Sequence, residues 1–328
     1  MSMTSHLKDS RTAIGKLFYN AFEPSLFLAN IKEQLLTQKC IVYSPSDAVR
    51  ARLIGTAIDY RLRFYFDCPP VTDLIAFHGA MSVPFIGGFF REGTLIFFAD
   101  LISFLRTKNI SKQRLPKNLE SKLNYYCLTL AKLEVLYRAR PYWLLKNMDK
   151  PAEEIYFRFF DAPSLGVNQG SSHILKFWER DVVNEMNDLS YLFYDRLEKV
   201  IKRRYKKGEM ELNPTFNLSH KVGGADADLI LKRTLIDFKS TKNNISKHDL
   251  FQVLGYTLLD DKREYRIDAV GIYFVRRGLL LQWKIREFYN NLQPKYTFKE
   301  FKNIFYKAVE KDSIGMMWRN SILEKIGT

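Results

Sequence analysis

Residues 223–242 read GGADADLILKRTLIDFKSTK. Two short apolar runs, DADLIL at 226–231 and TLIDF at 234–238, are separated by Lys232 and Arg233 alone. Two polar residues between two such runs are the pattern of a β-hairpin. Successive side chains on a strand point to opposite faces, so Asp226 and Asp228 share one face, and Asp237 and Lys239 share one face of the next strand. The hairpin can therefore bring the aspartate pair and the Asp-x-Lys pair to one place. Carboxylates gathered there repel one another unless a cation stands between them, and oxygen ligands select a hard divalent ion, Mg²⁺ or Mn²⁺. A lysine beside that ion can stabilise a hydroxide or the charge developing on a phosphate. The plainer reading is a surface hairpin in which Lys239 makes a salt bridge to an aspartate. Similar triplets occur at Asp260-Asp261-Lys262 and Glu120-Ser121-Lys122, but neither lies on a convincing strand beside acidic partners.

Outward from the hairpin, residues 246–259 begin with a Ser N-cap signal and read as a helix. Gln252 and Tyr256 lie four apart and so share one helical face. Residues 267–276 are a β-rich run, Arg277-Gly278 turns the chain into LLLQWKI, and residues 297–311 form an amphipathic helix. Upstream, residues 213–222 read as a short strand. The first half is helical. Residues 48–66 carry the stripe Leu53, Ala57, Ile58, Leu62 and Phe66, ended by Cys68-Pro69-Pro70. Residues 117–147 form a long helical stretch that Pro141 breaks or kinks. Residues 172–206 are helical with a basic end: Lys199, Lys202, Arg203, Arg204, Lys206 and Lys207. Cations suit a helix C-terminus and equally a phosphate backbone. The expected organisation is a mainly helical region at 1–207 that contributes the 48–66 helix to an α/β core at 208–328.

The hairpin, followed by Gln252-Val-Leu-Gly-Tyr256, resembles motifs of the PD-(D/E)XK nuclease superfamily, and most of all its RecB-type branch. There G-x-x-D or D-L-I precedes D/E-x-K, and a Q-x-x-x-Y helix follows. The resemblance is firm over about 215–275. It implies a restriction-endonuclease-like core, a mixed central sheet flanked by helices, and hydrolysis of phosphodiester bonds in DNA. Asp228 and Asp237 would hold Mg²⁺ (or Mn²⁺), the Phe238 carbonyl would complete the set, and Lys239 would orient and activate the attacking water. Gln252 would fix the hairpin or a nucleotide near the scissile phosphate, with Tyr256 packing there. G-x-x-D spacing favours Asp226 as the metal ligand, whereas D-L-I-L favours Asp228; Asp226 then becomes a partner. RecB-type relatives carry G-x-x-x-H on an upstream helix. Gly55-Thr-Ala-Ile-Asp59 looks like that element with aspartate for histidine, which leaves Asp59 either a fourth hard-ion ligand or a partner of Arg61 or Arg63. Glu179, Glu185 and Glu198 are alternative helical acids, and His220 a further ligand candidate. The cluster at 199–207 together with Arg276 and Arg277 would hold the backbone of the nucleic acid.

Charge agrees with such a partner. Lys plus Arg number 51 and Asp plus Glu 36, a formal charge of +15, with pI near 9.5. A surplus of that size points to polyanions. DNA comes first, RNA remains open, and no membrane partner is expected because no uncharged apolar run reaches about 18 residues. Three cysteines without a C-x-x-C pair exclude a disulfide framework and a zinc ribbon, and they are too few for the four-cysteine iron–sulfur cluster of some RecB-type relatives. Residues 1–16 are polar and charged early, unlike a secretory signal, so a cytoplasmic location is expected. The absence of G-x-x-x-x-G-K-[ST] means that any helicase or ATPase motor belongs to another chain. H-E-x-x-H and G-x-S-x-G are also absent. The expectation is a Mg²⁺-dependent deoxyribonuclease. Its rival is a catalytically inactive nucleic-acid-binding or complex-assembly subunit on the same scaffold.

Overall fold

The computed structural model describes residues 2–43, 48–81, 88–108, 110–147, 180–204, 209–242 and 245–326. Helices come first: α1 (Met3–Lys8), α2 (Ala13–Ala21), α3 (Ser25–Leu36), α4 (Ala48–Phe66), α5 (Ile75–Met81), α6 (Gly88–Thr107), α7 (Lys117–Asn147) and α8 (Arg180–Phe193). A π-helical turn (Tyr194–Glu198) joins α8 to α9 (Lys199–Arg204). Next come β1 (Met210–Leu212), β2 (Leu229–Leu231), β3 (Thr234–Lys239), α10 (Lys247–Leu259), β4 (Ala269–Phe274), β5 (Leu279–Lys284), α11 (Ile285–Asn291) and α12 (Phe298–Ile326).

The five strands form one mixed sheet in the order β1-β2-β3-β4-β5. Only β3 and β4 run parallel, because α10 carries the chain between them; the other pairs are antiparallel. Leu231 pairs with Thr234, so Lys232 and Arg233 are the whole turn, as their polarity indicates. Alternation along the strands separates two cores. Leu229, Leu231, Ile236 and Tyr273 face a layer built from α4 to α8. Ile230, Leu235, Val270, Ile272 and Phe274 face the opposite layer. Helices thus cover both faces, which is why every residue of β2 and β4 is buried.

Three sequence expectations change. The segment 213–222 is not a strand. Pro214 has no N–H to donate, and Ser219 Oγ both accepts from Phe216 N (3.0 Å) and donates to the Ala225 carbonyl (2.6 Å). That local closure winds Ser219–Val222 into a 3₁₀ turn, and the first strand is Met210–Leu212. Likewise Asp226 and Asp228 precede β2 rather than lying in it; Asp226 makes only an isolated bridge to Thr215. Gly223 and Gly224, at φ 70° and 108°, take the left-handed backbone that leads into this segment. Second, α7 continues through Pro141. Third, residue 207 is not a boundary in the packing. Phe18 of α2 meets Phe251, Phe301 and Phe305, so the first helices belong to the core of the C-terminal half.

Candidate metal centre

β3 ends at the site. By alternation Asp237 and Lys239 point toward α10, away from Ile236 and Phe238. Asp237 is 2% exposed, and its Oδ2 lies 2.9 Å from Lys239 Nζ. The same ammonium lies 3.1 Å from Asp249 Oδ1 and donates to Gln252 Oε1 at 3.0 Å. Gln252 Nε2 in turn donates to the Tyr256 hydroxyl at 2.7 Å. Four-residue spacing puts Gln252 and Tyr256 on one face of α10, and Asp249, three residues before Gln252, reaches the same point. Asp249 also closes a capping box with Ser246, taking its N–H at 2.8 Å and its hydroxyl at 2.7 Å. One carboxylate therefore starts the helix and steadies the lysine.

Across the hairpin, Asp228 Oδ2 accepts the Phe238 N–H at 2.6 Å. α4 passes the open end of the hairpin. A methyl group at Gly55 would overlap the Ser240 hydroxyl, so glycine lets the helix close on the residue after Lys239. One turn later Asp59 stands beside Asp228. Of these three acids, Asp228 raises the other two. Desolvation is the main cause in each case and raises all three carboxyls. Asp59 rises well above the ordinary range, helped by Asp228 and Asp237. Asp228 rises against the Phe238 N–H, Lys239 and Arg63. Asp237 rises to about 7, with Lys239 opposing and Asp228 adding to the shift. Burial pulls Lys239 down, but Asp237 and Asp249 outweigh it and keep the ammonium charged. Tyr256 is pushed up to about 12 by burial and then by Asp237.

A cleft of about 470 Å³ opens on Asp59 and Asp228, lined also by Arg63, Glu134, Asp226 and Tyr256 among others, while Asp237 is buried and does not line it. Asp226 is exposed there, and its Oδ1 accepts from the Thr215 hydroxyl at 3.2 Å. Of the two aspartates that the sequence left open, Asp228 sits against Phe238 and beside Asp59, while Asp226 lies at the rim. Among the described residues, no three His, Cys, Asp or Glu side chains form a ready-made ion cage. Magnesium does not require one. It keeps several waters and is commonly held by one or two carboxylates together with substrate phosphates. The hard oxygens of Asp228 and Asp237, close enough for Asp228 to raise Asp237, fit that mode.

Other expected site residues lie elsewhere. Arg276 is a core residue: it pairs with Glu185 and donates to the carbonyls of Ser240 (2.6 Å) and Ile41 (2.9 Å). Arg277 donates to the carbonyls of Leu35 and Gln38. Arg276 is not free for a phosphate, Arg277 is half-buried and engages the carbonyls through Nη1, and both tie the end of the sheet to its surroundings. Glu185 is therefore committed to Arg276, and Glu198 accepts from the Tyr65 hydroxyl at 2.6 Å. His220 is exposed on the 3₁₀ turn, outside the cleft. Lys202, Arg203 and Arg204 end α9, and the helix is the extent of their description. Glu179, Lys206 and Lys207 lie outside the described residues. Sequence reasoning missed Glu134, a buried acid on α7 that accepts from the Tyr60 hydroxyl at 2.6 Å. A lone acid between Leu133 and Val135 was its signal. It also missed Asp249, whose signal was the Ser246-x-x-Asp249 pattern itself. Comparison with protein-family models, with curated proteins and with solved structures returned no match.

Proposed function

We propose that this chain is a divalent-metal-dependent nuclease acting on DNA, with a PD-(D/E)XK-like core made of the β2–β3 hairpin, α10 and the parallel strand β4. The observation that carries the reading is a single constellation. Asp228 and the buried Asp237 face each other across the hairpin, and Lys239 beside them is held by Asp249 and Gln252. A purely structural ion pair needs one acid and one base. Here Asp228 raises both Asp59 and Asp237, and Asp59 and Asp228 line a cleft, which is the arrangement expected where function sets the charge.

Asp228 and Asp237 would hold Mg²⁺ or Mn²⁺, with Asp59 across the same cleft. The ion, when bound, supplies positive charge at the scissile phosphate and makes water a nucleophile near neutral pH. Lys239 orients that water and balances charge developing on the phosphate. Gln252 positions Lys239 through its carbonyl oxygen and Tyr256 through its amide. Asp249 keeps Lys239 from folding wholly onto Asp237. The chain's surplus of cations draws the polyanion toward an acidic centre that would otherwise repel it. A separate helicase or ATPase chain would supply any unwinding.

The rival, an inactive nucleic-acid-binding or assembly subunit, is favoured by one observation: no three-donor group among the described residues. Incubation of purified protein with linear and circular DNA separates the two. The nuclease reading expects shortened products in Mg²⁺ or Mn²⁺ and none in EDTA. Binding in a gel shift, without cutting in either metal, would reject it in favour of the rival.

A further inference from the structure

The acidic centre has two entrances. One is the cleft described above. The other, of about 390 Å³, lies toward the N-terminal end of α4 and is lined by Ala51, Arg52, Gly55, Thr56, Asp59, Ser240, Thr241 and Lys242. Thr56 and Asp59 line both. The two clefts thus meet at the acid that faces Asp228, and a chain molecule could lie along both.

The second cleft has the chemistry of a phosphate site. Arg52 is exposed and Lys242 is half-buried. No ion pair to either side chain occurs among the described residues. Thr56, Ser240 and Thr241, each with a hydroxyl, line the same cleft. Two cations and neutral donors, with Asp59 the lone carboxylate and at the inner end, suit a phosphodiester backbone rather than a carboxylate-rich or apolar ligand. On the far side Arg63 lines the first cleft close enough to lower Asp59 and Asp228. Cations therefore flank the acids on both sides. Both clefts have the volume of small-ligand pockets. Such clefts suit a single strand threaded through them better than a paired duplex lying across them.

We infer that Arg52 and Lys242 form a backbone subsite for single-stranded DNA, next to the scissile phosphate, and that the strand continues past Asp59 toward Arg63. This inference rests on the nuclease reading for the word scissile, and on the cleft alone for the strand. The site was not visible in the basic runs of the sequence, because the two cations come from segments 190 residues apart that Gly55 brings together.

The test uses the full chain with Arg52→Ala and Lys242→Ala combined. Both side chains reach solvent, so the variant is expected to melt with the wild type. Cleavage of a 20-nucleotide single strand in Mg²⁺ is expected to show KM raised about tenfold with kcat nearly unchanged. The dependence of binding on salt, followed by fluorescence anisotropy in EDTA, should lose about 1.4 from its slope, roughly 0.7 for each phosphate contact. The wild type should bind the strand at least about tenfold more tightly than a blunt duplex of the same sequence. Arg286→Ala with Lys302→Ala, in a cleft lined by neither α4 nor the acids, removes the same charge and should change none of these. Unchanged KM and salt slope in the first variant, equal losses in the second, or duplex bound as tightly as strand would each overturn the subsite. Strand binding that depends on Arg52 and Lys242 in a chain that never cuts would uphold the subsite and reject the nuclease.

Discussion

Asp237→Asn is expected to lower metal-dependent cleavage by about 10²–10³-fold or more while leaving the fold in place. The amide is isosteric, so packing under β3 is kept. What is lost is the charge that would bind the ion and that Lys239 balances. Asparagine also removes a buried group whose ionisation is disfavoured: Asp237 rises to about 7 because burial disfavours its charge. Such a group adds stability below the ordinary carboxylate range, and that contribution is lost as pH rises through about 7. In EDTA at pH 8 the variant is therefore expected to be at least as stable as the wild type. Loss of activity with unimpaired stability is the signature of a functional acid. Lys239→Ala should lose activity on the same scale. Gln252→Leu, which frees Lys239 and Tyr256 from their shared partner, should lose about 10–100-fold. Product analysis in Mg²⁺ and thermal melts in EDTA check all three. An Asp237→Asn protein that cuts normally would remove the mechanism.

Arg61→Met is expected to cost about 3–5 kcal/mol of stability. Arg61 lies on α4 two residues after Asp59 and is 1% exposed. Its Nε and Nη2 donate to the two carboxylate oxygens of Glu120 at 2.6 and 3.0 Å, and Tyr194 donates to Glu120 at 2.9 Å. Burial raises the Glu120 carboxyl, yet Arg61 outweighs burial and holds it below its ordinary value. Methionine leaves that carboxylate buried with only a neutral partner, and most of the cost comes from the stranded charge. Replacing both partners, Arg61→Met with Glu120→Leu, should therefore cost less than Arg61→Met alone. Denaturant unfolding of the two variants checks the order. The pair joins α4 to α7 and to the α8 junction, which indicates what the helical half is for: it fixes the helix that carries Asp59.

Much of this was legible before any coordinates. The two-residue turn, the Asp-x-Lys strand, the Ser246-capped helix with Gln252 and Tyr256, and the bounds of α4 follow from local patterns, and the structure has them. Three things were hidden by particular side-chain partners. Arg276 and Arg277 look like exposed cations in sequence, but backbone carbonyls and Glu185 claim them. The segment 213–222 has strand-like composition, yet a single serine hydroxyl folds it into a turn. Phe18 and its neighbours carry no sign in sequence that they pack on α10 and α12, because aromatic contacts between segments so far apart in the chain leave no periodic mark. One position of the site was legible only in kind. Asp59 was readable as an acid on the right helix, and its place beside Asp228 depends on Gly55 touching Ser240.

The central claim is that Asp228 and Asp237 share a divalent ion, and Mn²⁺ binding followed by electron paramagnetic resonance tests it directly. An ion must displace protons from carboxyls that burial has raised, Asp237 to about 7. Affinity should therefore climb as pH rises toward and through 7 and level off above it. The wild type is expected to bind Mn²⁺ about tenfold more tightly at pH 8 than at pH 6, the change that one such proton gives. Asp228→Asn and Asp237→Asn should each weaken binding at pH 8 by at least about tenfold. A wild-type chain that takes up no Mn²⁺ at either pH, or variants that bind it as the wild type does, would contradict the account.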